Sequence, residues 1–155
     1  MSFDTDTSAS TDSDDSPNID DCIDAAQMGC PTAQFNIGIY FHSGVEIPRC
    51  YTRALHFFCL AARQGNADAM HMIGICYKYG EGVVVDNYLA LQWFLFSSAK
   101  GNNISNYEIG YIYYHGYGVE KCYHTAEYHL RVGIQNGDTH GIPLYNETLR
   151  HLRGC

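Results

Sequence analysis

Residues 65–100 read GNADAMHMIGICYKYGEGVVVDNYLALQWFLFSSAK, and the glycines of this stretch recur 36 residues away on either side. The series that share this spacing are Gly29, Gly65, Gly101 and Gly137; Gly38, Gly74 and Gly110; and Gly44, Gly80 and Gly116. A period of about 20 to 50 residues is typical of stacked repeats, in which each unit buries its apolar face against its neighbours. The pattern therefore predicts a repeat fold and favours binding over catalysis.

Each repeat is predicted to form two helices joined by a glycine-containing turn. In the second repeat, Ala69, Ile73 and Tyr77 fall on one face of helix A, at the spacing of an amphipathic helix. Gly80 stands where a left-handed residue ends such a helix. By the same pattern helix A spans roughly 32–42, 68–79 and 105–115, and helix B spans roughly 51–64, 87–100 and 123–136.

A glycine within a helix costs about 1 kcal/mol relative to alanine. Because Gly74 and its equivalents recur at this position, we expect a compensating gain from packing. The expected gain is a close approach of the helix B backbone, with Ala90 facing the glycine.

The period divides the chain into a half-repeat at 19–28, full repeats at 29–64, 65–100 and 101–136, and a capping helix at 137–155, which Pro143 is expected to start. Residues 1–18 are Ser, Thr and Asp with almost nothing apolar. Such a composition cannot offset the entropy of ordering, so we expect a disordered acidic tail.

The formal net charge of -8 is concentrated at the N-terminus. The first 24 residues hold eight acids and no Lys or Arg, whereas the rest of the chain holds nine acids and nine bases. A nucleic-acid binder would show a basic face, and no apolar run reaches the length of a membrane span. We therefore expect no nucleic-acid or membrane partner and an intracellular, cytoplasmic location.

Seven cysteines and eight histidines invite redox, metal and catalytic interpretations. A repeat-wide disulfide framework would pair cysteines in every unit, but only Cys50 and Cys122 are in register, so we expect mostly reduced thiols. Cys22 and Cys30 remain one candidate pair across a turn. The five-residue spacing of the His124–His129 pair is poor for a metal site on a helix, and we expect no metal and no cofactor.

The second repeat, Gly65-x3-Ala69-x3-Ile73-Gly74-x2-Tyr77-x2-Gly80-x-Gly82, resembles the Sel-1-like repeat (SLR) family, relatives of the tetratricopeptide repeat. The resemblance covers about residues 19–137. It implies an all-α, right-handed α/α superhelix (solenoid) that acts as an adaptor in complexes or signalling, with no catalytic residues. The departures are Glu46 at a loop-glycine position, Ser105 at an alanine position and His129 at the position of Trp93, where we expect a packed neutral histidine.

The face of helix A opposite the core carries large apolar and aromatic residues. We define this predicted strip as Phe35, Ile39, His42, His71, Ile75, Lys78, Tyr107, Tyr111 and Tyr114. Aromatic surfaces of this kind bind protein partners, although the same residues could instead pack between repeats.

The strip predicts a non-enzymatic adaptor or scaffold that binds a peptide or a helix in the concave groove of the solenoid. Two alternatives stay open. One is a small thiol-dependent enzyme or hydrolase that uses a Cys/His pair. The other is a regulatory subunit that is stable only within a larger complex, because three repeats are close to the minimum for independent stability.

Overall fold

The computed structural model describes residues 18–154, and this part of the chain is helical with no strand. Eight helices follow one another along it: α1 (Ile19–Gln27), α2 (Pro31–Ser43), α3 (Tyr51–Arg63), α4 (Ala67–Tyr79), α5 (Asn87–Ala99), α6 (Ser105–His115), α7 (Tyr123–Gln135) and α8 (Ile142–Arg153). The predicted tail falls almost wholly outside the described residues, because only Asn18 of it is included.

Each helix packs on the next one in the chain, so the fold is a one-dimensional stack of helix pairs. The A helices α2, α4 and α6 pair with the B helices α3, α5 and α7, respectively. Helix α1 stands at the position of a B helix before the first pair, and α8 closes the stack after the last one. The prediction of an all-α repeat solenoid is confirmed.

Local sequence signals set where the helices begin and end. The side chains of Asn66 and Asp86 cap α4 and α5 by accepting hydrogen bonds from the backbone N–H groups of Ala69 and Leu89, at 2.8 and 2.9 Å. Helix α4 ends at Gly80, whose φ of 74° is left-handed, as the period predicts. Glu46, at a loop-glycine position, keeps a left-handed φ of 67° despite its side chain.

The mid-helix glycines lie nearest to a large side chain of helix B, which the sequence prediction missed. The expected close approach of the helix B backbone is seen at Gly110, where a Cβ would lie 3.2 Å from the Ala126 carbonyl oxygen. A Cβ on Gly74 would lie 2.6 Å from Cε1 of Phe94, which is completely buried. Gly38 and Gly110 likewise leave room for Phe58 and Leu130. The glycine therefore leaves space for a large side chain of helix B. In the second repeat this side chain is Phe94, which stands one turn after Ala90. Ala90 is also fully buried.

The last helix begins as the sequence indicates, with Pro143 in its first turn. Thr148 of α8 is fully buried and donates its hydroxyl to the Leu144 carbonyl oxygen at 2.7 Å. Between residues 18 and 154, no helix has the length and apolar character needed to cross a bilayer.

Candidate functional site

Helix α6 presents a row of aromatic rings outside the core. Tyr107, Tyr111 and His115 follow one another at four-residue spacing on one face of the helix, and Tyr117 follows in the next turn of chain. Ring centroids are 6.1 Å apart for the first pair, 4.4 Å for the second, and 5.2 Å between His115 and Tyr117. All four side chains are partly exposed, Tyr117 by 42%. We call these four residues the aromatic row.

A lysine joins this row to the preceding repeat. The ammonium group of Lys78 lies 4.7 Å from the ring centroid of Tyr111 and 5.0 Å from that of Tyr79, which is 60% exposed. Lys78 Nζ also donates to Glu108 Oε2 at 2.7 Å. Burial alone would lower the pKa of Lys78, but the Glu108 carboxylate outweighs it, so the pKa is raised. The lysine is therefore charged and held in place at neutral pH.

One position of the predicted strip contacts the next repeat in every unit. His42 Nε2 lies 2.7 Å from Glu81 Oε2, Lys78 pairs with Glu108, and the third equivalent, Tyr114, places its hydroxyl 3.0 Å from a ring nitrogen of the closing helix. These side chains link successive repeats. They leave less free surface than the sequence pattern suggests.

Tyr114 does not belong to an accessible surface, and that part of the prediction is wrong. Its side chain is only 8% exposed, and the ring packs edge-on against Tyr123 and His151. Burial, together with the nearby Glu147 carboxylate, raises the pKa of Tyr114 to about 12. The physical reason is α8, which covers this flank of α6 and whose placement cannot be inferred from helical periodicity.

The remaining members of the strip are half-buried at the junctions between helices. The Phe35 ring lies 5.9 Å from Phe58, and His71 lies 5.3 Å from Phe94 in the equivalent place of the next repeat. Ile39 and Ile75 pack at the edge of the core clusters, and both remain partly exposed. The strip therefore contributes both to packing between repeats and to the outer surface.

Sequence reasoning missed three exposed residues of this face: Tyr79, His115 and Tyr117. Tyr79 stands four residues after Ile75, and His115 stands four residues after Tyr111. Continuing the helical spacing by one more turn would have found both of them. Tyr117 lies in the turn after α6, beyond the reach of a helical pattern.

His71 forms a hydrogen-bonded pair with a buried serine of the next repeat, Ser105. His71 Nδ1 is 2.8 Å from Ser105 Oγ, and the Ser105 hydroxyl donates to Ser97 Oγ at 2.9 Å. Ser97 in turn donates to the Ala67 carbonyl oxygen at 2.7 Å. Burial lowers the pKa of His71 despite the opposing charges of Glu108 and Asp68. Because Ser105 is fully buried, its hydroxyl serves packing between repeats and is closed to a substrate.

The described cysteines differ widely in their thiol chemistry. None of Cys22, Cys30, Cys50, Cys59, Cys76 and Cys122 is bonded to another of this set. Burial raises the pKa of Cys59 and raises that of Cys76 to about 12. The pKa of Cys122, by contrast, is lowered, chiefly by the hydroxyl of Thr125, which donates to its sulfur at 3.2 Å.

No cluster of three metal-ligating side chains occurs in the described part of the chain. His129 is partly buried beside Asn106, with 3.1 Å between Nδ1 and Oδ1, and burial lowers its pKa. A histidine with a lowered pKa is neutral at pH 7, in agreement with the packed side chain that its position in the repeat predicts.

Comparison with known proteins places the chain in a family. The model of the Sel1 repeat matches residues 31–66, 67–102 and 104–138. The chain belongs to the Sel1 repeat family. Proteins of this family are in general non-enzymatic helical scaffolds for protein–protein interaction. The search of curated proteins finds no match.

Solved structures show the same architecture. A Sel1 repeat protein from Oxalobacter formigenes is 26% identical, with a TM-score of 0.75 over 79% of this chain and 50% of that one. A protective antigen of uropathogenic Escherichia coli strains, described as having an SLR fold, is 31% identical, with a TM-score of 0.76 over 79% of this chain and 26% of that one. The chain thus spans half of the first protein and about a quarter of the second.

A third structure, cysteine-rich protein B of Helicobacter pylori, is 18% identical, with a TM-score of 0.64. The match covers 83% of this chain and 98% of that protein. At this identity the likeness concerns the fold alone.

Proposed function

We propose that this Sel1 repeat chain is a protein-interaction scaffold whose A-helix face binds an extended peptide or a helix of a partner protein. The observation that carries the proposal is the aromatic row of α6, which is continued by Tyr79 and Lys78 of α4. In an ordinary solvated helix this face would be charged and polar. Here it holds tyrosine and histidine rings at contact distance.

The row suits binding because its rings are held in place before a partner arrives. The ammonium group of Lys78 is anchored by Glu108 and lies against Tyr111, while His115 stacks on Tyr117. Less side-chain entropy is therefore lost on association. Burying the exposed part of each ring against a partner would contribute on the order of 1–2 kcal/mol.

The proposed interface keeps most of the predicted strip and changes its outer end. It consists of Phe35, Ile39, His42, His71, Ile75, Lys78, Tyr107 and Tyr111, with Tyr79, His115 and Tyr117 added and Tyr114 removed. A continuous face that runs across successive A helices fits an elongated ligand better than a compact one.

The test compares two sets of changes of similar size. The first is the combination Tyr107→Ser, Tyr111→Ser and His115→Ser. The control is Tyr88→Ser with Tyr128→Ser, two tyrosines that are 55% and 53% exposed on B helices. Each variant is used as bait for affinity capture with quantitative mass spectrometry, after its melting temperature has been checked.

We expect the first set to lose specific partners at least tenfold relative to the control, because three interface rings are removed together. Equal recovery by both baits would show that the A-helix face of α6 is not the interface. Loss of partners by the control bait alone would move the interface to the B helices.

We also propose that the protein works in a reducing, intracellular compartment and without catalysis. The described cysteines form no disulfide with one another, and Cys22 and Cys76 are packed as small apolar side chains in the core. Mass analysis of the protein from its native source, after thiol blocking, would show free thiols at these positions. Disulfides among them would contradict the compartment.

A further inference from the structure

A concave feature lies in the first repeat, away from α6. It is a cleft of about 350 Å³ whose apolar walls come from α1, α2, α3 and the loop before α3. Its lining residues are Ile23, Ile37, Phe41, Ile47, Arg53, His56 and Phe57. The rings of Phe41 and Phe57 stack at 5.9 Å and form an aromatic wall. The cleft is distinct from the aromatic row, and inferences about it do not depend on the proposed function.

Two residues that line the cleft differ from their equivalents in the second repeat. Phe57 stands where the second repeat has the larger Trp93, which packs against a core cluster. Arg53 stands where that repeat has Leu89. The first repeat thus lines the cleft with a smaller ring and a cation where the second repeat has an indole and an aliphatic side chain. The third repeat has no cation at the Arg53 position either.

The charges at the mouth of the cleft are unequal. On the α3 side, the guanidinium of Arg53 lies 5.5 Å from the Phe41 ring centroid and forms no ion pair within residues 18–154. His56 lies beside it, with its ring 5.5 Å from that of Phe57. On the opposite side, α1 carries Asp20 and Asp24. The best occupant is therefore a bulky apolar side chain with carboxylates directed towards α3.

We propose that this occupant is the chain's own segment at residues 3–6, with the Phe3 ring in the cleft and Asp4 and Asp6 towards Arg53. Phe3 is the one aromatic residue before α1, and it is flanked by acids in the sequence Phe3-Asp4-Thr5-Asp6. The aromatic residue matches the apolar walls, and the acids match the positive charge of the Arg53 guanidinium.

The connection between Phe3 and α1 is long enough for Phe3 to reach the cleft of its own chain. The segment joins the fold at α1, and Ile23 of the cleft lies only about one turn beyond the start of that helix. The residues between Phe3 and Asn18 reach much further than this at about 3.3 Å each. Tethering also gives the segment an effective concentration in the millimolar range, which favours even a weak contact.

The experiment uses the full chain with ¹³C-labelled isoleucine δ1 methyl groups, because three isoleucines line the cleft. Phe3→Ser is compared with the unchanged chain. We expect the methyl resonances of Ile23, Ile37 and Ile47 to move, since they lose a neighbouring ring. Ile75 and Ile109, which lie elsewhere in the stack, should stay in place.

A second variant makes the result specific to the cleft. Phe57→Trp restores the residue of the second repeat and should fill the space, so that Phe3→Ser in that background no longer moves the three methyl resonances. Three outcomes overturn the proposal. They are unmoved cleft methyls on Phe3→Ser, equal movement of all isoleucines, and a shift difference that disappears on dilution, which would show that a second copy supplies the ring.

Discussion

Replacing Gly74 by alanine tests how the helix pairs are held together. In an open helix this change stabilises by about 1 kcal/mol, because alanine is the better helix former. Here the new Cβ would lie 2.6 Å from the Phe94 ring, and that ring is fully buried and cannot move to solvent. Overpacking of this kind costs about 1–3 kcal/mol. We expect the overpacking cost to lie near the upper end of this range and to exceed the gain in helix propensity, so that Gly74→Ala lowers the free energy of unfolding by about 1–2 kcal/mol.

The assay is urea unfolding, followed by circular dichroism and by the fluorescence of the single tryptophan, Trp93, which lies on the same helix as Phe94. A matched control is Gly133→Ala in α7. There the nearest atom to a new Cβ, Asn106 Cβ, is 3.4 Å away, which is ordinary contact. The control should gain up to about 1 kcal/mol.

A double-variant cycle then isolates the clash itself. In a Phe94→Ala background, Gly74→Ala should no longer destabilise, because the ring that it meets is gone. If Gly74→Ala raises stability as much as Gly133→Ala does, the reasoning about the space at Gly74 is refuted.

Three further predictions concern titration, reactivity and the closing helix. Burial lowers the pKa of His71 and His129 below the unfolded value of about 6.5, so the unfolded state binds more protons than the folded state as the pH falls. The urea midpoint should therefore fall as the pH drops from about 7 to 5. A midpoint that does not change would contradict this. With a thiol probe at neutral pH, Cys122 should react fastest and Cys76 slowest among the described cysteines, and the reverse order would contradict the cited pKa shifts. Tyr114→Phe should destabilise by about 1 kcal/mol through loss of its hydrogen bond to α8, and unchanged unfolding would show that this bond contributes nothing.

The thiol measurement also bears on the alternative of a thiol-dependent enzyme. Within residues 18–154 no histidine ring forms a hydrogen bond with a cysteine, and the side chain that bonds the Cys122 sulfur is Thr125. A modest preference for Cys122 is expected from its pKa alone. A reaction faster by several orders of magnitude would instead favour an activated nucleophile and revive the enzyme hypothesis.

The helices could be predicted from the sequence because their signals are local and recur. Gly80 ends α4 through a backbone conformation that glycine adopts readily, and Asp86 caps α5 through its own side chain. Both effects act within one turn of the residue concerned. Because the period repeats these signals, the helix boundaries of one repeat can also be assigned from the equivalent positions of its neighbours.

The site could be predicted only in part, because its exposure depends on contacts between helices that are far apart in sequence. Periodicity places Tyr107, Tyr111 and Tyr114 near one face, but α8 covers the third of them. The spacing likewise places Lys78 on the strip, but it does not show that Glu108 of the next repeat binds it. The periodicity of one helix does not predict where a helix of the next repeat packs against it.

The mid-helix glycines illustrate the same limit. Their cost could be estimated from the sequence, and a packing reason could be inferred from their recurrence. The partner could not be assigned, because the alanine and the ring of helix B stand one turn apart and both recur with the glycine. Only the way in which the two helices cross brings the Phe94 ring nearest to Gly74.

The central claim is that partners bind on the A-helix face, and site-specific photocrosslinking tests it most directly. A photoreactive phenylalanine analogue is placed at position 111 in one protein and at position 128 in another, and each is irradiated in the native cell extract. The account predicts a discrete crosslinked partner from position 111, and at least tenfold less of that product from position 128. Equal products from both positions, or a partner crosslinked from position 128 alone, would contradict it.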